Sequence, residues 1–246
     1  MFSIDLSGHT ALVTGAGVRL GRAFALGIAQ AGGNVVIHYN HSADPAEQTA
    51  DSVRELGVEA AVVQADLANA DQVERLLPQA AQFLGTVDLL VNSAAIFESA
   101  NAYETTQGVW QRHIDVNLRA PVFLTRSLAL SLEGEPGSVV NLLDWRALRP
   151  GTEHFAYTIA KAGLAAATQA MARAYAPNLR VNGLALGAIL PPPGAGDEKD
   201  DRIISSVPQQ RWGTVEETVQ AMLFLLAGPE YITGEVLHLD GGRHLV

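Results

Sequence analysis

The chain contains no cysteine. That absence excludes disulfide staples, thiolate metal sites and a cysteine nucleophile, and no other metal site is expected. Charge is scarce and lopsided: charged residues make up 17% of the chain and the formal net charge is −10. Long-range repulsion therefore opposes nucleic acid or an anionic membrane as a partner, and any phosphate must be held by local groups. The opening residues Met1–Thr10 carry neither a basic nor an apolar leader, and no apolar run reaches membrane-spanning length before a charge or proline interrupts it. The expectation is a cytoplasmic protein with a small-molecule substrate. Neither a Ser/Pro/Gly-rich linker nor an internal repeat divides the chain, so one domain is expected over 1–246.

What is abundant is apolar material in a repeating order. Hydrophobic residues form 48% of the chain, enough to bury a sheet on both faces. Short β-branched runs predict strands at Ala11–Thr14, Asn34–His38, Glu59–Gln64, Val87–Asn92, Gly137–Leu143, Arg180–Leu186 and Glu235–Leu239. Helical periodicity fills the intervals at Leu20–Ala31, Pro45–Leu56, Ala70–Phe83, Glu104–Leu132 with a break near Leu118–Pro121, Glu153–Tyr175 and Val215–Ala227. Alternation of about seven strands with helices predicts an α/β fold, a doubly wound parallel sheet of the Rossmann type with ligands at the carboxyl ends of its strands. The irregular stretch is 187–211, rich in proline and glycine and then charged, which reads as a substrate loop.

The first strand runs into Thr14-Gly15-Ala16-Gly17-Val18-Arg19-Leu20-Gly21 and then directly into a helix. Glycines there let the backbone turn tightly and approach a pyrophosphate, while the helix N-terminus offers unpaired N–H groups. Gly15, Gly17 and Gly21 also fit an ordinary strand-to-helix turn, but a place after the first strand of such a sheet favours a dinucleotide. Arg19 is either a solvated helix-start residue or a cation facing cofactor phosphates or substrate. The second strand ends in His38-Tyr39-Asn40-His41-Ser42, with no carboxylate before Asp44. An acidic residue there would bind the ribose 2′-OH and repel a 2′-phosphate. Its absence favours NADP, with Asn40, His41 and Ser42 as donors. Asp66, after the third strand, either accepts from an adenine amino group or caps the next helix.

Tyr157 and Lys161 stand at helical i, i+4 spacing, hence on one face. A phenol is a poor acid–base catalyst near neutrality, and a nearby cation favours its ionised form. The same lysine suits a nicotinamide ribose. Asp144 ends the strand through Val139–Leu143, where a doubly wound sheet presents side chains to a ligand, and it would serve equally as a cap for the segment that follows. Asn117, near the start of a long apolar helix, is either a kink residue or the anchor of a proton-relay water.

Over its whole length the chain resembles the short-chain dehydrogenase/reductase family. The resemblance rests on Thr14-Gly15 with Gly21, Asp66, the run Asp88–Ala95, Asn117, Tyr157 with Lys161, and Ile232–Gly242, in order and at family spacing. Three departures are similar to the pteridine reductase and dihydromonapterin reductase branch: Arg19 in place of a glycine, Asp144 in place of the catalytic serine, and Phe97 after Asn92–Ile96. His38-Tyr39 and the ending Asp240–Leu245 agree with that branch. The resemblance implies that Phe97 stacks on a pterin opposite the nicotinamide, with plain core packing as the alternative, and Phe97 is expected to form the wall of a flat cleft opposite Tyr157. It implies that Arg19 faces substrate and phosphates, and that Asp144, Tyr157 and Lys161 carry the proton. Further cofactor contacts are implied for Leu20, His38, Leu67, Asn92, Ala94, Gly187 and Ile189. It also implies a homo-oligomer, usually a tetramer, with Arg243 and His244 near a neighbour's substrate pocket. Two positions differ from many relatives: His41 stands for arginine, and Leu186-Gly187 for Pro-Gly.

The expected activity is hydride transfer from NADPH to a C=N carbon of a dihydropterin-like ring, with proton delivery by Tyr157 and Asp144. One rival is a generic carbonyl reductase acting on a 3-oxoacyl or sugar ketone. Another is a catalytically silent dinucleotide sensor, which the intact Tyr/Lys pair disfavours.

Overall fold

Strand residues point alternately into two apolar cores. In β1 (Thr10–Val13), Ala11 and Val13 face one core and Leu12 the other; in β2 (Asn34–Tyr39), Val35 and Ile37 oppose Val36. The same division separates Leu89 and Val91 from Leu90 in β4 (Leu89–Asn92). Because helices cover both faces, these strands read as unbroken apolar runs rather than as an apolar/polar alternation. The first face is covered by α1 (Arg19–Gln30), α2 (Ala43–Arg54) and α8 (Val215–Ala227), through Phe24, Ile28, Val53, Met222 and Leu225. The second is covered by α3 (Ala70–Leu84), α5 (Ala120–Ser131) and α6 (Phe155–Tyr175), through Leu76, Leu77, Leu124, Leu128 and Met171.

The computed structural model describes residues 4–191 and 201–246. With β3 (Ala60–Gln64), β5 (Gly137–Asp144), β6 (Leu179–Leu186) and β7 (Val236–Leu239), the strands form one seven-stranded parallel sheet in the order β3-β2-β1-β4-β5-β6-β7. The winding reverses between β1 and β4. At such a reversal the connections leave in opposite directions and open a crevice at the carboxyl ends of the strands. The expected doubly wound α/β sheet is therefore present. Among the described residues no helix is long and apolar enough to cross a membrane.

Most boundaries shift by one or two residues, and three differences bear on the site. The stretch expected as one broken helix over 104–132 consists of α4 (Gln107–Ile114), a π-turn (Asp115–Arg119) and α5. Asn101 ties down the N–H groups of Tyr103 and Glu104, and Thr106 caps α4 through the N–H of Val109, so the helix starts late. Pro121 does not make the break; it sits in the first turn of α5, where its missing N–H costs nothing. α6 begins at Phe155 because His154 is left-handed, with φ 52°. Within the expected loop over 187–211, a short α7 (Asp201–Ser205) forms. Pro192, Pro193, Gly194, Gly196 and Asp197 of that stretch lie outside the described residues.

Candidate active site

Gly15 takes φ +66°, a conformation open to glycine, and its N–H donates to Nδ1 of His38 at 3.1 Å. Nε2 of the same ring lies 3.0 Å from the Ala65 carbonyl oxygen, which places the imidazole proton there. Burial pushes the His38 pKa down to about 4, so the ring stays neutral. His38 thus borders the crevice with both nitrogens engaged by backbone; it offers shape to the turn and no donor to a phosphate. A Cβ at Gly21 would lie 2.2 Å from the Gly15 carbonyl oxygen, so α1 reaches the turn only with glycine there. Gly17 packs instead under the start of α2, where a Cβ would be 3.3 Å from the Ala46 nitrogen. No side chain caps α1 at Val18 and its first turn has no acidic residue, which leaves N-terminal N–H groups for an anion.

A cleft of about 450 Å³ lies over this turn. Gly15, Arg19 and Leu20 border it, as do Asn40, Asp66 and Leu67 beyond β2 and β3. On the other side of the reversal Ala94, Gly187 and Ile189 join Asp144, Tyr157 and Lys161. Arg19 reaches across it, donating from Nη2 to the Pro191 carbonyl at 2.8 Å. Gly187 has no alternative, since a Cβ would come within 2.6 Å of the Asp240 backbone. Asp66 accepts from the Ala68 N–H at 2.9 Å, while Asn69 caps α3, so capping falls to the asparagine. His41 is exposed and Ser42 precedes α2; neither lines the cleft.

Two asparagines stand behind the lining. Asn92 donates to Asn141 at 2.8 Å, and Asn141 to the Thr168 hydroxyl at 2.9 Å, which ties β4 and β5 to α6. Asn117, fully buried in the π-turn, accepts from the Ile96 N–H and donates to the Ile96 carbonyl, both at 2.9 Å. Each end of that amide is engaged by backbone rather than held open for a relay water. Its effect falls on the segment that carries Phe97.

The Tyr157 hydroxyl donates to Asp144 Oδ2 at 3.2 Å. Asp144 Oδ1 accepts from the Arg146 N–H at 2.9 Å and, more weakly, from Arg146 Nη1 at 3.4 Å. The carboxylate is therefore both a cap and the tyrosine's partner. Burial first, and then the carboxylate, raises the Tyr157 pKa well above the usual phenol range. The expectation that Lys161 favours the phenolate does not hold in this geometry. Its Nζ donates to the Leu142 carbonyl at 2.5 Å and lies 5.9 Å from the centre of the Tyr157 ring, and burial pulls its pKa down to about 8. Tyr157 accordingly keeps its proton at neutral pH.

Phe97 is 43% exposed, which excludes a plain core role. Its ring stacks on His154 at 3.8 Å and 17°, and meets Tyr157 edge-on at 4.7 Å and 80°. It stands beside Tyr157 rather than opposite, because His154, anchored through Nδ1 to the Glu98 carbonyl at 2.9 Å, occupies one face. The sequence reading missed His154, Trp145 and Arg146. Their signals were His154 three positions before Tyr157 and the Trp-Arg pair directly after Asp144. The Arg146 guanidinium lies 5.6 Å from the Phe97 centre and 5.0 Å from that of Trp145, and Arg243 lies 4.4 Å from Trp145. Within one chain, then, Arg243 sits on its own Trp145.

A glycine turn at the reversal of a parallel sheet, facing a buried phenol and ammonium, defines a nicotinamide-dependent oxidoreductase. The family model described as Enoyl-(Acyl carrier protein) reductase matches residues 15–244. The chain belongs to the short-chain dehydrogenase/reductase family. It is 30% identical over 242 residues to 3-oxoacyl-[acyl-carrier-protein] reductase FabG of Staphylococcus epidermidis, covering 96% of this chain and 99% of that protein. It is also 30% identical over 251 residues to glucose 1-dehydrogenase 2 of Bacillus subtilis, covering 98% and 96%. Among solved structures it is similar to FolM alternative dihydrofolate reductase 1 from Brucella canis, complexed with NADP, with 36% identity, a TM-score of 0.90 and coverage of 98% and 96%.

Proposed function

We propose that this enzyme uses NADPH to reduce a C=N bond in a dihydropterin-like ring. The residues fit the cofactor: the turn admits no Cβ at Gly21, α1 starts uncapped, and no carboxylate ends β2, where Asn40 borders the cleft. The NADP complex of the similar FolM structure supports that choice. When bound, NADPH supplies the hydride that the ring carbon receives. Tyr157 holds the proton destined for the adjoining nitrogen, so that C=N becomes CH–NH, and Asp144 returns a proton to the phenol from solvent. Lys161, at the base of the pair, keeps a positive charge beneath the tyrosine and orients a ribose hydroxyl. Phe97 supplies an aromatic edge to a flat ring.

The observation that carries this reading is the Tyr157–Asp144 hydrogen bond at 3.2 Å. A serine in that place would donate or accept a single hydrogen bond without exchanging a proton with solvent near neutrality, whereas a carboxyl group also passes a proton and pairs with the amino and amide edge of a pterin ring. Carbonyl reduction is the second reading, favoured by the 30% identity to the 3-oxoacyl reductase. Steady-state NADPH oxidation with 7,8-dihydropterins, 3-oxoacyl thioesters and sugar ketones separates the two. Faster turnover of the dihydropterins is expected; ketones turning over far faster would exclude the pterin reading.

A further inference from the structure

The aromatic surface does not stop at Phe97. Trp145 and Arg146 follow Asp144 in a single 3₁₀ turn at the end of β5. From Tyr157 the contacts run to Phe97, then Arg146, Trp145 and Arg243, each ring or guanidinium within 5.6 Å of the next centre. Two cations thus lie against one indole directly after Asp144, which lines the reaction cleft, in a protein whose net charge is −10.

The two side-chain carboxylates whose charge reaches Arg243, Asp144 and Asp240, are already engaged. Asp144 uses one oxygen for Tyr157 and the other for Arg146. Asp240 accepts from the N–H groups of Gly242 and His244, at 2.9 and 2.8 Å, and from His244 Nδ1 at 2.8 Å. The Arg243 side chain makes no hydrogen bond or ion pair among the described residues, although it is half-buried. Burial and then the like charge of Arg146 lower its pKa, and the more weakly acting Asp144 and Asp240 do not offset them. Stacking on an indole holds a guanidinium flat and leaves its N–H edge for a planar, two-oxygen acceptor. Beside it runs a groove of about 560 Å³, bordered on one side by Trp145, Arg243 and Val246 and on the other by Ser205, Ser206 and Gln210.

We propose that Arg243, with Arg146, forms a carboxylate-receiving subsite at the mouth of the cleft, and that the preferred substrate carries an anionic tail beyond its reacting ring. The subsite rests on the reductase reading only in supposing that the reacting ring lies at Tyr157; it does not require the ring to be a pterin.

The test compares two dihydropterins with the same ring, 7,8-dihydrofolate with its carboxylate tail and 7,8-dihydrobiopterin with a neutral one. For Arg243→Gln, the ratio of kcat/KM for the tailed over the neutral substrate is expected to fall about tenfold or more through KM, the scale of one charge-assisted bidentate contact. Arg243→Lys, which keeps the charge, is expected to retain part of the preference. Rising salt should erode kcat/KM for the tailed substrate in the parent and less so in Arg243→Gln. Should neither dihydropterin be reduced, the pterin reading fails, and the same comparison is made with a 3-oxo acid against its neutral ester. Binding of p-aminobenzoylglutamate, the tail alone, to the NADP complex is measured by calorimetry alongside. Equal losses on tailed and neutral substrates, or tail binding indifferent to Arg243→Gln, would overturn the subsite.

Discussion

At the scale of single residues, the buried ammonium of Lys161 makes the sharpest prediction. Its folded pKa, about 8, lies below the ordinary 10.5 because burial disfavours the charge. The unfolded chain therefore binds more protons between those values, and stability rises with pH across that window. Below it the buried charge costs about 3 kcal/mol, from 1.36 kcal/mol per pKa unit. A Lys161→Met variant is expected to exceed the parent in urea-unfolding stability near neutrality, with the gap closing towards pH 10.5. A gap independent of pH would refute the assignment. Tyr157→Phe removes the proton and is expected to lower turnover by about 10²-fold or more while sparing NADPH affinity in a fluorescence titration. Asp144→Ser should impair dihydropterin reduction more than ketone reduction in the same assay. Tyr157, Lys161 and Asp144 were legible because helical spacing and the end of a strand are local facts. His154 and Arg146 were not, since their meeting at Phe97 depends on a left-handed residue before α6 and on distant chain segments; Arg243 was expected near a neighbour's pocket, and its contact with Trp145 of its own chain was not.

At the scale of elements, the glycine turn and the π-turn behave as fitted parts. Gly21→Ala places a methyl group 2.2 Å from a backbone oxygen that cannot swing away. NADPH binding is expected to weaken by about tenfold or more, with about 1–3 kcal/mol of stability lost to overpacking. Asn117→Ala strands the N–H and carbonyl of Ile96 and should cost about 1–3 kcal/mol in urea unfolding, with a raised KM because Phe97 follows directly. Strands and most helices were readable to within a few residues, for periodicity reports which faces are buried. The π-turn was not, because it answers to Ile96 in another segment and to the Arg119–Asp115 ion pair at 2.6 Å rather than to local preference.

At the scale of the whole molecule, strand alternation predicted a parallel sheet, and the reversal between β1 and β4 follows from the connectivity that such sheets share. Assembly is a separate matter. Phe123 and Leu130 on α5 and Ile159 on α6 stay exposed, at 43%, 62% and 38%, and an oligomer built on these helices, a tetramer by resemblance, would cover them. Light scattering at micromolar concentration is expected to give four times the chain mass; a monomer would refute it. The indole that both Arg146 and Arg243 approach has an optical consequence as well. The chain has three tryptophans, of which Trp212 is buried and Trp110 packs near Phe155. With those two replaced by phenylalanine, emission comes from the mouth of the cleft alone. Reduced nicotinamide absorbs where indole emits, so cofactor arrival would be read as energy transfer and tail arrival as a change in the indole's own spectrum. One lamp would then time the two binding events separately.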